Sequence, residues 1–162
     1  MFKFSKNSIC AKKLCVLVVV FLVFICVNAG AFTVSFVVAE TGVNQDNGEF
    51  HHSILWENAL LDVFFEAGFI VSNDQMLRLP ARPTGDIIRL IDVDEFRFSG
   101  IDYLIITQLD YTDDLGLPQN ISLFVYRISP LTNVFRTVVE QRPRNEINDI
   151  RSIARGLVPF LR

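Results

Sequence analysis

The sequence predicts an α+β domain in which three helices pack on a mixed β-sheet of about five strands. Three observations support this prediction. β-rich runs alternate with helical patterns early in the chain. The stretch Gly100–Tyr111 is first continuously apolar and then alternating, which is typical of a central strand covered by helices near its start. Two later β-rich runs are separated by the short link 129–133, which indicates a hairpin. The predicted order is β-α-β-α-β-β-β-α, after an N-terminal signal segment.

The N-terminal segment has the features of a signal peptide. Lysines at positions 3 to 13 precede the apolar run Leu14–Val27, and Val27 and Ala29 provide the −3 and −1 positions of a cleavage site. This run is shorter than the ~20 residues that a membrane span needs. We therefore predict a signal peptide over residues 1–29, cleavage between Ala29 and Gly30, and one α+β domain over residues 30–162. The alternative is an uncleaved N-terminal anchor, which would be the protein's only attachment to the membrane.

The composition after the signal segment limits the classes of partner. Residues 30–162 contain no lysine and no cysteine, and their eleven arginines are outnumbered by eighteen acidic residues, which gives a formal charge of −7. An acidic domain of this kind is not expected to bind nucleic acid, because neutralisation of phosphates supplies most of that affinity. It can form no disulfide, so its stability rests on its core alone.

The first helix is predicted to follow a strand over residues 32–39 and a polar loop. Ser53 is a suitable N-cap, and Gly68 follows the predicted last residue, Ala67. Asn58, Asp62 and Glu66 form one narrow polar stripe, and most of the remaining circumference is apolar. We therefore expect this helix to be covered on more than one side.

The later elements follow from similar patterns. After a short strand over residues 69–71, the segment containing Pro80 and Pro83 is predicted to be a connection. Thr84 is predicted to cap a second helix that ends at Gly100 and buries isoleucines, Phe96 and, in one interpretation, Phe98. The hairpin is predicted over residues 121–128 and 134–140. The last helix has an apolar stripe with helical spacing, formed by Ile147, Ile150, Ala154, Leu157 and Leu161.

Three strings of this sequence carry a resemblance to a known group: residues 56–71, residues 100–105, which follow a helical pattern, and the hairpin strand ending at residues 124–129. They resemble the group that contains the N-terminal domain of TolB, the curli secretion protein CsgG and the lipoprotein activators of penicillin-binding proteins. The resemblance implies an anticodon-binding-like α/β fold over roughly residues 33 to 161. It also implies a non-enzymatic envelope protein that binds other proteins.

Two clusters could hold a metal ion or act in catalysis. Asp110, Asp113 and Asp114 lie at the exit of the central strand, where carboxylates could hold a hard cation or act as acid and base. No nucleophile or phosphate-binding loop accompanies them, so a solvated loop is favoured. His51 and His52 with Glu49 lack a further ligand cluster, so we expect an exposed loop-to-helix junction there. We therefore predict no catalytic residue, metal ion or cofactor.

The sequence thus favours an exported, non-catalytic protein of the bacterial envelope, periplasmic or secreted, that acts by protein–protein contact. The alternatives are a cation-binding or hydrolytic domain that uses the three aspartates, and a membrane-anchored domain. Arginines concentrate in the last strand and helix, where they could dock an acidic partner or neutralise the domain's own acids. The predicted contact residues for an envelope protein partner are Trp56, Phe65, Arg144, Arg151 and Arg155.

Overall fold

We describe the protein from a computed structural model. The structure describes residues 31–42, 51–111, 118–139 and 147–161. Within these ranges no helix is long and apolar enough to cross a membrane.

One mixed sheet of six strands forms the centre of the described fold, in the order β2-β1-β4-β5-β6, with β3 also paired to β1. β1 pairs in parallel with β2, β3 and β4, whereas β4, β5 and β6 run antiparallel to one another. The strands are β1 (Thr33–Thr41), β2 (Ile70–Asn73), β3 (Leu77–Leu79), β4 (Tyr103–Asp110), β5 (Asn120–Arg127) and β6 (Thr132–Val139).

Three α-helices and two short 3-10 helices accompany the sheet in the described residues. The α-helices are α1 (His51–Glu66), α2 (Val93–Phe98) and α3 (Ile147–Arg155); the 3-10 helices are Ile87–Leu90 and Val158–Leu161. The predicted α+β class, with helices on one sheet, is therefore confirmed.

The larger core lies between one face of the sheet and the pair α1 and α3. Trp56, Leu60 and Phe64 of α1 are fully buried against this face, and Ile150 and Ala154 of α3 close the same cluster. α1 is thus covered by the sheet and by a second helix, as its mostly apolar circumference predicted. Its polar stripe is exposed, and the chain leaves the helix through Gly68 at φ +87°.

The smaller core lies on the opposite face of the sheet. Ile87 and Ile88 of the 3-10 helix and Phe96 of α2 pack there against apolar side chains of β1, β4 and β5. Because β4 has a helical layer on each face, all eight of its residues are buried. The prediction that Gly100–Tyr111 contains the central strand is confirmed.

Two predicted elements were wrong in detail. The segment before Pro80 is not only a connection, because Leu77–Leu79 pairs with Ala39–Thr41 and adds a sixth strand. The predicted second helix is two short helices, and Asp92, not Thr84, caps the α-helical part by accepting from the backbone N–H of Asp94 and Glu95. Phe98 at its end is 90% exposed, so it does not belong to the buried side.

Candidate functional site

Polar side chains cluster at the edge where the parallel strands β1 and β4 end. The register places Thr41 opposite Asp110 and Glu40 opposite Leu109. Since successive residues of a strand point to opposite faces, Glu40 lies on the α1 face and Asp110 on the other. Each carboxylate thus belongs to a separate group of side chains.

The group on the α1 face is sealed inside the protein. Glu40 accepts a hydrogen bond from the Ser53 hydroxyl and lies 3.0 Å from the Arg78 guanidinium, measured from Oε2 to Nε. The Ser53 hydroxyl is also 3.1 Å from the Tyr111 hydroxyl. Ser53 and Glu40 have no exposed surface and Tyr111 is 2% exposed. This Ser–Glu–Tyr set therefore holds α1 to the sheet edge and cannot reach a substrate from solvent.

The Tyr111 hydroxyl is kept protonated by its surroundings. Burial raises its pKa to about 12, and the negative charge of Glu40 adds to that rise, while the hydrogen bond with Ser53 opposes it. A phenol with such a pKa is a neutral structural group at physiological pH.

The group on the opposite face is centred on Asp110, which is 6% exposed. Its Oδ1 accepts hydrogen bonds from the Thr41 hydroxyl and, at 2.7 Å, from the Gln108 amide. Its Oδ2 lies 3.2 Å from the Arg82 guanidinium. The carboxylate is thus committed to neighbouring side chains and to one cation.

These contacts of Asp110 oppose the cation-binding alternative. Within the described ranges no group of three or more potential ligands could hold a metal ion. Asp113 and Asp114 lie outside the described residues, so their part of the hypothesis stays untested.

A cavity of about 340 Å³ opens next to this second group. It lies between the chain segment 82–89 and the sheet, where Gln108 and Phe124 contribute to its wall. Three arginines line it, and the guanidinium carbon of Arg136 lies over the Phe124 ring at 5.0 Å from the ring centre. The cationic residues are Arg82, Arg89 and Arg136, and Asp86 is the acidic residue of the lining.

Sequence reasoning did not find this cavity. Arg136 is one of several arginines late in the chain, and Arg82 lies between two prolines in a segment that the sequence predicts to be a connection. The available signal was the recurrence of arginine in an otherwise lysine-free, acidic domain. The sequence could not show that residues 54 positions apart share one cavity.

The histidine pair is placed at the start of α1. His52 is buried, at 4% exposure, which corrects the expectation of an exposed junction for this residue. Glu49 and the side chain of His51 lie outside the described part of the structure. The histidine metal site thus receives no support from His52, which is packed inside the fold.

The predicted contact residues are divided between core and surface. Trp56 is fully buried because it faces the sheet, which corrects its assignment as a contact residue, whereas Phe65 is 72% exposed. Arg151 lies 2.8 Å from Glu66 and 3.6 Å from Asp62.

The arginines of α3 therefore face acidic residues of α1, and Arg155 also lies 3.7 Å from Glu66. This arrangement favours the interpretation that these arginines neutralise the domain's own acids. Arg144 and the predicted cleavage residues Ala29 and Gly30 lie outside the described ranges.

The two edges of the sheet differ in length. One edge is formed by the short strands β2 and β3, of four and three residues. The other is β6, an eight-residue strand that pairs only with β5 among the described strands. Val138 on this strand is 48% exposed. β6 therefore presents a long row of backbone groups on its outer side.

The chain matches a protein-family model. The model of a family described as "Uncharacterised protein" matches residues 33–127, more than half of the chain. No curated protein matches the sequence. The match covers β1 to β5 and therefore most of the sheet.

Several solved structures are similar at low sequence identity. The crystal structure of TolB from Acinetobacter baumannii is 17% identical with a TM-score of 0.48, covering 81% of this chain and 27% of TolB. The PelC dodecamer from Paraburkholderia phytofirmans is 11% identical with a TM-score of 0.44, covering 81% of this chain and 87% of PelC. Because the chain spans about a quarter of the TolB length, the activity of whole TolB is not transferred to it.

Proposed function

The chain belongs to the family described as "Uncharacterised protein", and we propose that it is an exported, non-catalytic protein of the bacterial envelope that acts by binding another protein. The observation that carries the proposal is the β6 edge. An unpaired strand edge can accept an extended segment of a partner through backbone hydrogen bonds. The partner we propose therefore presents a β-strand to this edge.

The form of β6 supports strand addition. Proteins that do not use an edge commonly blunt it with proline, lysine or a bulge. β6 contains no proline and a single charged residue, Arg136, and its register shift lies opposite Val125 and Tyr126, near its beginning. The regular part, from Phe135 to Val139, is longer than either strand of the opposite edge.

The side chains that could take part in catalysis are buried or already paired, which supports a binding role rather than an enzymatic one. Ser53 and Tyr111 lie beside a carboxylate, which is a combination that could activate a nucleophile if substrate reached it. Both are enclosed by α1 and the sheet. Asp110 is held by hydrogen bonds and by Arg82.

A photo-reactive amino acid at the edge strand tests the proposal. In the full-length protein in its native cells, we would replace Val138 by a benzoylphenylalanine residue. Leu90, with 50% exposure in the 3-10 helix, gives a matched control position. Irradiation is expected to yield one discrete cross-linked product from position 138 and not from position 90.

Three outcomes would contradict strand addition by another protein. They are the absence of a product at position 138, the same products at both positions, and a product of twice the protein's mass, which would indicate self-pairing. Val138→Lys should in turn reduce cross-linking from a probe at Thr132.

Export is tested separately by sequencing the N-terminus of the protein purified from cells. A start at Gly30 supports the cleaved signal peptide that we propose. An intact N-terminus recovered in the membrane fraction would instead support the anchored alternative.

A further inference from the structure

We propose that the arginine-lined cavity binds a small organic oxyanion, a phosphorylated or carboxylated molecule, through Arg82, Arg89 and Arg136. Arg136 lies on β6, but the cavity opens on one face of the sheet and uses side chains, whereas the proposed strand addition uses the outer backbone groups of β6, so neither proposal requires the other. The cavity has the size of a small-molecule site at about 340 Å³.

The local charge is opposite to that of the whole domain. Residues 30–162 carry a formal charge of −7, yet three arginines and one aspartate line this cavity. Like charges placed together repel one another, so the grouping costs free energy unless a counter-charge compensates it. Asp110 compensates Arg82, and no acidic partner forms an ion pair with Arg89 or Arg136 within the described ranges. A bound anion would supply the compensating charge.

Two of the arginines are held in place from the protein side. Arg82 is fixed by its contact with Asp110, which Thr41 and Gln108 hold in turn. A guanidinium group has five N–H donors in a planar fork, so one ion pair leaves donors for a ligand. Arg136 lies over the face of Phe124, a contact that restricts the positions its side chain can take. Preorganised donors lose less conformational entropy when they bind an anion.

The chain segment that carries the remaining lining residues is anchored in the core. Ile87 and Ile88 are buried in the smaller core, and they position Arg89 beside them. Gly85 leaves open space at the cavity, because a Cβ there would meet no atom within 4 Å. Phe124 and Ile87 give the lining an apolar part. The ligand that fits combines a phosphate or carboxylate group with a small apolar or neutral portion.

Isothermal titration of the purified protein with citrate and with inorganic phosphate tests the proposal and separates the two oxyanions. Saturable binding of at least one of them is expected, weaker at higher salt concentration. Arg136→Gln should weaken the affinity about tenfold or more, because it removes charge-assisted hydrogen bonds. Asp86→Asn should strengthen it, because it removes the negative charge of the lining.

Arg97→Gln is the matched control, since Arg97 pairs with Asp94 on α2 and does not line the cavity. Its affinity should equal that of the unmodified protein, and circular dichroism should show that all variants are folded. No saturable binding of either anion, or an equal loss in Arg136→Gln and Arg97→Gln, would overturn the proposal.

Discussion

At the edge where β1 and β4 end, similar polar groups lie on both faces of the sheet but differ in their exposure to solvent. On each face a buried carboxylate accepts a hydrogen bond from a hydroxyl group and lies beside an arginine. On the α1 face the arginine side chain is 23% exposed, and on the other face it is 51% exposed and borders a cavity. The two groups contain similar residue types. The secondary structure packed over each group therefore determines whether the group is buried and structural or accessible to a ligand.

The cover on each face is set by secondary structure of different length. α1 has sixteen residues and packs along the sheet from the sealed group to Gly68. The opposite face is covered by a four-residue 3-10 helix and a six-residue α-helix. Short elements leave space at their ends, and the cavity lies beside the segment that precedes the 3-10 helix. The open face is thus the better place to search for a ligand.

The largest expected change in the free energy of unfolding comes from a substitution at the sheet edge where β1 and β4 end, because both polar groups lie there. Gly42 has φ +78°, and a Cβ at this position would lie 1.9 Å from the carbonyl oxygen of Tyr111. Gly42→Ala should therefore lower the free energy of unfolding by about 3 kcal/mol or more, because backbone atoms must move. Gly85→Ala, where a Cβ meets no atom, is the control. Denaturant unfolding gives both values, and equal stabilities would show that the edge is not tightly packed.

The next effect compares the two carboxylates directly. Glu40→Ala removes the fully buried carboxylate beside Arg78, whose side chain is only 23% exposed, and should cost about 3–5 kcal/mol. Asp110→Ala should cost less, about 1–3 kcal/mol, because the half-exposed Arg82 can be hydrated after its partner is lost. Urea unfolding of the two variants measures the difference. A larger cost at Asp110 would reverse the assignment of the sealed and open faces.

Tyr111, on the α1 face, should make the stability of the protein depend on pH in the alkaline range, with an effect of intermediate size. The pKa of Tyr111 is raised to about 12 from its ordinary value of 10.0. The folded protein therefore holds this proton more tightly than the unfolded chain, and stability should fall as the pH rises from about 10 to 12. Tyr111→Phe should show a weaker decline over this interval. Unfolding at several alkaline pH values measures it, and identical declines would place Tyr111 in contact with solvent.

The smallest effect is expected outside the comparison, at the exposed ion pairs between α3 and α1. Arg151→Ala should lower the stability by about 1 kcal/mol or less, since solvent screens its contacts with Asp62 and Glu66. The loss should shrink at high salt concentration. Thermal unfolding at two salt concentrations measures it, and a loss as large as that of Glu40→Ala would mean that α3 is held chiefly by charge.

Much of the fold was predictable because it follows from local periodicity. The pattern of apolar residues predicts the largely apolar circumference of α1 and a central strand within Gly100–Tyr111, and the short link 129–133 predicts the hairpin of β5 and β6. β3 was missed because three residues give no periodic signal, and their pairing with Ala39–Thr41 depends on a distant strand. The second helix was misjudged because Asp92 starts a new helix within an apolar pattern that looks continuous.

The candidate sites were less predictable because they depend on contacts between distant residues. The sequence shows that Arg82 and Asp110 exist, but their ion pair forms only once β3 and β4 lie on the same sheet. In the same way, Trp56 and Phe65 are both large apolar residues of one helix, and only the packing of that helix separates the buried residue from the exposed one. On a helix that is mostly apolar, the buried and exposed residues can be told apart only when the elements packed against the helix are known.

The most direct test of the difference between the two faces is a titration of the isotopically labelled domain with citrate, followed by amide chemical shifts. With citrate, or with phosphate if only phosphate binds, we expect saturable shifts at Gly85, Arg89 and Arg136, which line the cavity, and unchanged shifts at Glu40 and Ser53 on the sealed face. Shifts of similar size on both faces, or none at the cavity, would contradict the division into a structural face and a ligand-binding face.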